Sequence, residues 1–222
     1  MKRGADMKEY IKLIKLCKYG FRFKLNLICF ILFFAIGLLL EVTSGGQNVL
    51  GSIYIVLCSM YMYQFIISLS LTDMVQSSGL KYKLNVNLPV IANVVFCFIF
   101  YTFVVIHRYS IVKAYPSMES NMVTALLVTA VFIIVLFLYT AFAYKYFIIS
   151  VIMFTITFSI TMGIVGYDMS AYDHVLSYKG AVIIGYAAVI IGGALEYIIS
   201  RTLYNKPLSE RAFRGVFKSQ ID

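Results

Sequence analysis

The sequence predicts an all-α polytopic membrane protein with six transmembrane helices, an N-terminal interfacial helix and both termini in the cytoplasm. Three observations lead to this fold class. Of the 222 residues, 61% are hydrophobic and only 13% are charged, whereas soluble domains average about 25% charged residues. Long apolar runs recur along the chain, and the 19 Lys and Arg residues that give a net charge of +9 flank those runs. A membrane therefore explains the basic charge better than nucleic acid does.

The first 24 residues form a basic segment that holds eight Lys and Arg residues. Within it, Ile11, Ile14 and Cys17 recur at three-residue spacing, so residues 10–23 are expected to form a basic amphipathic helix on the cytoplasmic surface. A simple charged anchor is the alternative. The apolar run that follows is long and lacks a small-residue cleavage pattern, which favours an uncleaved first span over a signal peptide.

Apolar runs define the six predicted spans. They cover residues 25–42, 49–71, 89–106, two spans within 121–167, and 180–200. A single helix over residues 121–167 would be about 70 Å long, against a hydrocarbon core of about 30 Å. This run must therefore turn, and the only charge within it predicts a turn at Tyr144, Lys145 and Tyr146.

Charged residues mark the ends of two spans. Glu41 is expected at headgroup depth at the end of the first span, where water and lipid headgroups would solvate it. His107 and Arg108 are expected to end the third span, with residues 109–120 forming a polar loop. His107 and His174 are both expected to be solvated rather than to bind a metal.

The distribution of basic residues predicts the orientation. With the N-terminus inside, 16 of the 19 Lys and Arg residues fall on the cytoplasmic side, and only Arg108, Lys113 and Lys179 fall outside. This obeys the positive-inside rule. Because both termini are basic, an even number of spans is required. The predicted organisation is a basic segment over residues 1–24, a six-helix domain over 25–200 and a basic tail over 201–222.

Motifs for catalysis or cofactor binding are missing from the sequence. It contains no phosphate-binding loop, no nucleophile elbow and no zinc-binding helix motif. The four cysteines lack paired spacing and are expected to be buried thiols. Asp168 and Asp173 each follow a tyrosine, as in intramembrane aspartyl proteases, but both lie in one loop and the Gly-x-Gly-Asp partner motif is absent. No cofactor, metal or catalytic set is expected.

Glu196 lies in the last predicted span, soon after Gly192, Gly193 and Ala194. An ionisable residue at membrane depth is a candidate functional residue. The alternative is that its side chain reaches the interface toward Arg201. The small residues before it predict close helix packing. Tyrosines in and beside the spans suit either a path for an amphiphilic substrate or the membrane interface.

The segment between spans two and three reads SLTDMVQSSGLKYKLNVNLP over residues 70–89. Together with the basic segment before span one, the nearly fused spans four and five and the loop before span six, it resembles the permease subunit of bacterial type-2 ABC exporters. The resemblance implies an elbow helix over residues 10–23 and an outer gate over residues 161–178. It also implies a coupling loop that docks on a separate ATPase, with Val75 and Leu80 as apolar anchors. The implied coupling residues are Asp73, Met74, Val75, Gln76, Ser77, Ser78, Gly79, Leu80 and Lys81.

The resemblance also implies a function and partners. The chain would be the permease subunit of an exporter in the bacterial cell membrane, moving an amphiphilic or peptide-like substrate. ATP would be hydrolysed on a separate ATP-binding subunit, and a second permease copy or paralogue would complete a dimer. One alternative is the substrate-binding subunit of an energy-coupling-factor vitamin importer. Its docking face carries alanines four residues apart, and this chain has no such pair, although glycine and serine can substitute for alanine there. A membrane-embedded enzyme and an accessory or immunity protein are further alternatives.

Overall fold

The computed structural model describes residues 15, 17–20, 22–46, 48–70, 75, 79, 81–166, 176–207, 209 and 211. Within these ranges the regular structure is helical throughout, which confirms the predicted all-α class. Six α-helices follow in order: α1 Phe23–Thr43, α2 Val49–Ser70, α3 Leu88–Ala114, α4 Glu119–Ala143, α5 Phe147–Gly166 and α6 Tyr178–Thr202. Half of the predicted surface helix over residues 10–23 lies outside the described residues, and its described part contains a 3₁₀ turn at Cys17–Tyr19.

Five of the helices are long and apolar enough to cross a membrane, and α5 contributes a shorter apolar stretch over Phe147–Ile160. The protein is therefore a multi-pass membrane protein. The helices differ in burial, because only 11% of the apolar window of α1 is buried, compared with 67% in α2. The exposed side chains of α1 include Ile28, Ile31 and Leu39, which suit contact with lipid rather than water.

The predicted turn within residues 121–167 is confirmed. Helix α4 ends at Ala143 and α5 begins at Phe147. The backbone N–H of Tyr146 donates to the Phe142 carbonyl at 2.8 Å, so the turn closes without glycine or proline. The bounds of α1, α2 and α6 lie within about two residues of the predicted spans, as is usual for helix ends.

The predicted end of the third span at residue 106 is wrong. Helix α3 continues to Ala114, and only a short 3₁₀ turn at Pro116–Met118 separates it from α4. A π-helical turn at Lys83–Asn87 precedes α3. In a regular α-helix the ring of Pro89 would clash with the carbonyl group four residues earlier. The wider π-helical turn lies at this point of the chain. Together the two segments span 32 residues, or about 48 Å, which exceeds the hydrocarbon thickness.

The helices alternate in direction, which gives the bundle two distinct ends. One end carries Arg22, Lys81, Lys145 and Lys206, and we call it the basic end. There, Lys145 donates hydrogen bonds to backbone carbonyls beyond α6, which joins the α4–α5 turn to the chain after the last helix. The other end carries Glu41 and the start of α6, and we call it the Glu41 end.

The core forms around α2, which packs against both α1 and α3, while α4 packs along α6. Its large buried side chains include Ile55 of α2, Tyr101 of α3 and Phe132 of α4. Glycines permit the closest helix approaches. A Cβ at Gly51 would lie 2.6 Å from the Glu41 backbone nitrogen and 2.8 Å from the Glu41 Cα, so α1 and α2 are in backbone contact at this point.

The Gly51→Ala variant is expected to unfold at a lower temperature in detergent than the wild type. The added methyl group would force two backbones apart, and overpacking of this kind costs about 1–3 kcal/mol. Thermal unfolding followed by circular dichroism measures the loss. The matched control is Gly163→Ala in α5, where a Cβ would meet no described atom within 4 Å. Equal stability of the two variants would contradict the close α1–α2 crossing.

Candidate functional site

Glu196 lies at the meeting point of α3, α4 and α6. The helices can meet there because Gly192 and Gly193 bring the backbone of α6 close to its neighbours. A Cβ at Gly192 would lie 2.5 Å from the Phe137 ring, and one at Gly193 would lie 2.4 Å from Val94. The small-residue packing predicted from the sequence before Glu196 is therefore present in the structure.

Two neutral side chains hold the Glu196 carboxyl group. The Thr140 hydroxyl donates to Oε1 at 2.7 Å, and the Asn93 amide lies 3.1 Å from both carboxyl oxygens. Glu196 and Asn93 have no exposed surface, and Thr140 is 1% exposed. The alternative in which Glu196 reaches the interface toward Arg201 is therefore wrong, because the side chain points into the bundle.

The Glu196 group carries no compensating cation among the described residues, where the ion pairs all involve Glu41. The Asn93 Oδ1 atom is buried and lacks a hydrogen-bond partner within the same described part of the chain. A carboxyl group held only by hydroxyl and amide donors can accept a further hydrogen bond, or exchange a proton or a small cation. At membrane depth such groups are commonly functional.

A cavity of about 170 Å³ lies at the basic end, between the start of α1, the end of α2 and the α4–α5 turn. Its lining mixes polar and apolar groups. The polar side chains are Arg22, Asn26, Gln64, Ser68, Tyr139, Thr140 and Tyr144, and the apolar ones are Met60, Ala143 and Phe147. Because drug-sized ligands occupy sites of about 300–1,000 Å³, the cavity holds only part of an amphiphile. Thr140 lines the cavity and also donates to Glu196, so one hydroxyl connects the two features.

The Glu41 end is held by a buried ion pair. The Arg108 guanidinium donates to both carboxyl oxygens of Glu41, at 2.8 Å from Nε and 3.2 Å from Nη2. Arg108 also donates to the Asn48 carbonyl and to the Ser52 hydroxyl, and Ser52 is bonded to Thr129 of α4 at 2.9 Å. This network links four helices at the Glu41 end.

The predicted solvation of Glu41 at headgroup depth is wrong, because neither Glu41 nor Arg108 has exposed surface. The physical reason is that α3 extends far enough to bring Arg108 against the end of α1. His107 remains partly exposed, with its Nδ1 3.5 Å from the Glu41 carboxyl group, so it lies beside this pair rather than in a solvated loop. His174 lies outside the described residues.

Of the predicted coupling loop, the structure describes Val75, Gly79 and Lys81. Val75 is only 4% exposed, so its side chain packs inside the chain, and its predicted role as an apolar anchor for a partner stays a prediction. Gly79 is exposed and has no described atom near its Cβ position. The other coupling residues lie outside the described residues: Asp73, Met74, Gln76, Ser77, Ser78 and Leu80.

Some of the other predicted features lie within the described residues and some lie outside them. Asp168, Asp173 and half of the predicted outer gate over residues 161–178 lie outside the described residues. All four cysteines are thiols, three of them buried. Across the ranges that are described, no group of three His, Cys, Asp or Glu side chains is placed to hold a metal ion.

Asn93 was predicted only to suit a hydrogen bond between helices, whereas its pairing with Glu196, the role of Thr140 and the partnership of Glu41 with Arg108 were not predicted. In the sequence, Asn93 is a lone amide within an apolar run, and Glu41 and Arg108 are charged residues at the ends of such runs. Their pairing depends on which helices are neighbours. No protein-family model, no curated protein and no solved structure matches this chain.

Removing one partner of the buried ion pair is expected to destabilise the fold strongly. In Arg108→Leu the Glu41 carboxylate remains buried without its partner, which costs about 3–5 kcal/mol. The double variant Glu41→Leu/Arg108→Leu is expected to recover much of this loss, because no unpaired charge remains. Thermal unfolding in detergent compares the two. A double variant no more stable than Arg108→Leu would show that the unpaired charge is not the cause.

The cavity at the basic end is expected to admit a small water-soluble reagent. In a background whose four native cysteines are replaced by alanine, Gln64→Cys should react with a charged methanethiosulfonate reagent added to the side of the basic end. Ser59→Cys is the control on the same helix, because Ser59 has no exposed surface. Labelling is measured by the mass increase of the intact chain. Reaction at both positions, or at neither, would contradict the cavity.

Proposed function

We propose that this chain is the six-span permease subunit of an ATP-driven exporter in the bacterial cell membrane. ATP would be hydrolysed on a separate subunit, and the substrate would be amphiphilic or peptide-like. One observation carries the proposal: Val75 and Leu84, which lie between α2 and α3 in the chain, pack into an apolar cluster that joins both helices to the N-terminal turn. We call this the coupling cluster, and it consists of Cys17, Phe65, Ile66, Leu69, Val75, Leu84 and Leu88.

The coupling cluster supports the proposal because it is a mechanical connection. Val75 of the loop is buried between residues of α2, the turn before α3 and the N-terminal 3₁₀ turn. The N-terminal turn is also tightly placed, since a Cβ at Gly20 would lie 2.5 Å from the Ser68 hydroxyl. Close-packed groups transmit displacement. A push on the exposed part of the loop, near Gly79, would therefore move the ends of α2 and α3 together.

The proposed topology has α5 as the sixth span and the basic end in the cytoplasm. Helix α5 has 20 residues, or about 30 Å, which matches the hydrocarbon thickness. With six spans both termini share one side, in agreement with the hydrogen bonds from Lys145 to the chain after α6. The accumulation of lysines at that end favours the cytoplasm under the positive-inside rule.

The cavity at the basic end would receive part of the substrate. Ser68 lines the cavity. In the chain it is next to Leu69 and two residues after Ile66, and both of these belong to the coupling cluster. A movement of the end of α2 would therefore change the cavity directly. The mixture of aromatic rings, amides and one guanidinium suits an amphiphilic substrate. Because six spans supply half of such a pathway, the proposal includes a second permease copy or paralogue.

The test uses Gly79, whose Cβ position is open. The tagged chain is purified from its native membrane in mild detergent, and an ATPase with a phosphate-binding loop is expected to copurify. Gly79→Trp should reduce the amount of bound ATPase by about tenfold, equivalent to about 1.4 kcal/mol, because the ring would obstruct the docking surface without disturbing the fold. ATP hydrolysis by the purified complex should fall in parallel.

The control for this experiment is Gly45→Asn at the Glu41 end. Gly45 has a φ of +56° and no described atom within 4 Å of its Cβ position, and asparagine tolerates that backbone conformation. This variant should retain the ATPase at the wild-type level. Purification without any ATPase, or equal retention by Gly79→Trp and Gly45→Asn, would overturn the proposed function.

A further inference from the structure

A second cavity at the basic end has a different chemical character from the first. It has a volume of about 350 Å³ and lies between the turn before α3, the α4–α5 turn and the chain that follows α6. Three lysines from these three separate segments line it: Lys81, Lys145 and Lys206. Asn85 and Asn205 add amide donors. The lining therefore offers positive charge and hydrogen-bond donors together.

Lys145 is the central charge of this cavity, and its partners are neutral. Its ammonium group donates to the Tyr204 carbonyl at 3.3 Å and to the Lys206 carbonyl. Burial lowers the pKa of Lys145, and the positive charge of Lys81 lowers it further. Between residues that the structure describes, the ion pairs are confined to Glu41 with Arg108 and His107. An anion in the cavity would relieve the repulsion between the two lysines.

The cavity is preformed, because the chain after α6 is fixed in place. The Ser209 backbone N–H donates to the Tyr144 carbonyl at 2.8 Å. The ring of Tyr204 packs edge-on against Tyr82, with 5.1 Å between centroids. These contacts hold the segment that carries Lys206 against the segment that carries Lys81. The lysines are therefore brought together by the fold and not by a shared helix face.

We propose that this cavity binds a phosphate group, with the headgroup of an anionic lipid as its source. Lysine ammonium groups bind phosphate as point charges. The cavity lies where helices end and where Tyr82 and Tyr204 meet, and tyrosines of this kind mark the headgroup region. Anionic lipids are attracted to basic segments on the cytoplasmic side. Lys81 also belongs to the predicted coupling loop, but the cavity shares no lining residue with the coupling cluster, and the lipid proposal does not depend on the proposed exporter function.

The test measures lipid binding to the full chain by native mass spectrometry in detergent. Short-chain phosphatidylglycerol should bind with higher affinity than short-chain phosphatidylcholine. Lys81→Gln and Lys145→Gln should each weaken phosphatidylglycerol binding about fivefold, since one lysine near an anionic surface contributes about 1 kcal/mol. Neither variant should change phosphatidylcholine binding. Lys81→Gln should disturb the fold less than Lys145→Gln does, because Lys145 also donates hydrogen bonds to the chain after α6.

The matched control is Lys113→Gln, which removes an exposed lysine at the Glu41 end. It should bind phosphatidylglycerol as the wild type does. Competition with inorganic phosphate distinguishes a lipid headgroup from a soluble phosphate as the ligand of the cavity. Weak competition at millimolar concentration supports a lipid headgroup, whereas full displacement supports the same site with a soluble phosphate as its ligand. Wild-type binding by both cavity variants, or an equal loss in Lys113→Gln, would overturn the proposal.

Discussion

The buried pair of Glu41 and Arg108 is the interaction on which the Glu41 end of the bundle depends. A guanidinium and a carboxylate without exposed surface are tolerated because each is paired with the other and because Ser52 and the Asn48 carbonyl accept further hydrogen bonds from Nη2. Among the described residues, Nη1 of Arg108 has no hydrogen-bond partner. The pair can form only because α3 extends at least to Arg108, which brings the guanidinium to the end of α1. It also explains why Gly51 is needed, because α2 approaches the Glu41 backbone too closely for a side chain.

The helices were predictable from the sequence because the membrane leaves few alternatives. A span must be apolar over about 20 residues, so run length and the single charge at Lys145 were enough to divide residues 121–167 correctly. The same reasoning failed at Arg108. Hydropathy treats every charge as a boundary, but a charge whose partner lies on a neighbouring helix can be buried, and no property of the residues around Arg108 identifies that partner.

The candidate site was predictable only in part, for a related reason. Glu196 was identifiable as an ionisable residue at membrane depth, but its position between α3, α4 and α6 depends on helix packing at Gly192 and Gly193. Its partners Asn93 and Thr140 lie 103 and 56 residues away in the chain. Polar residues inside spans are individually ambiguous, because each can bond to its own helix or to another. Only the arrangement of helices decides between these possibilities.

Helix α3 connects the features described above, since Leu88, Asn93 and Arg108 all lie on it. Leu88 belongs to the coupling cluster, Asn93 holds Glu196, and Arg108 is bound to α1 through Glu41. Asn93 lies about 8 Å along the helix from Leu88 and about 22 Å from Arg108. Under the proposed exporter function, a force on the coupling cluster would therefore act on the same helix that holds Glu196, while the ion pair holds the other end of that helix.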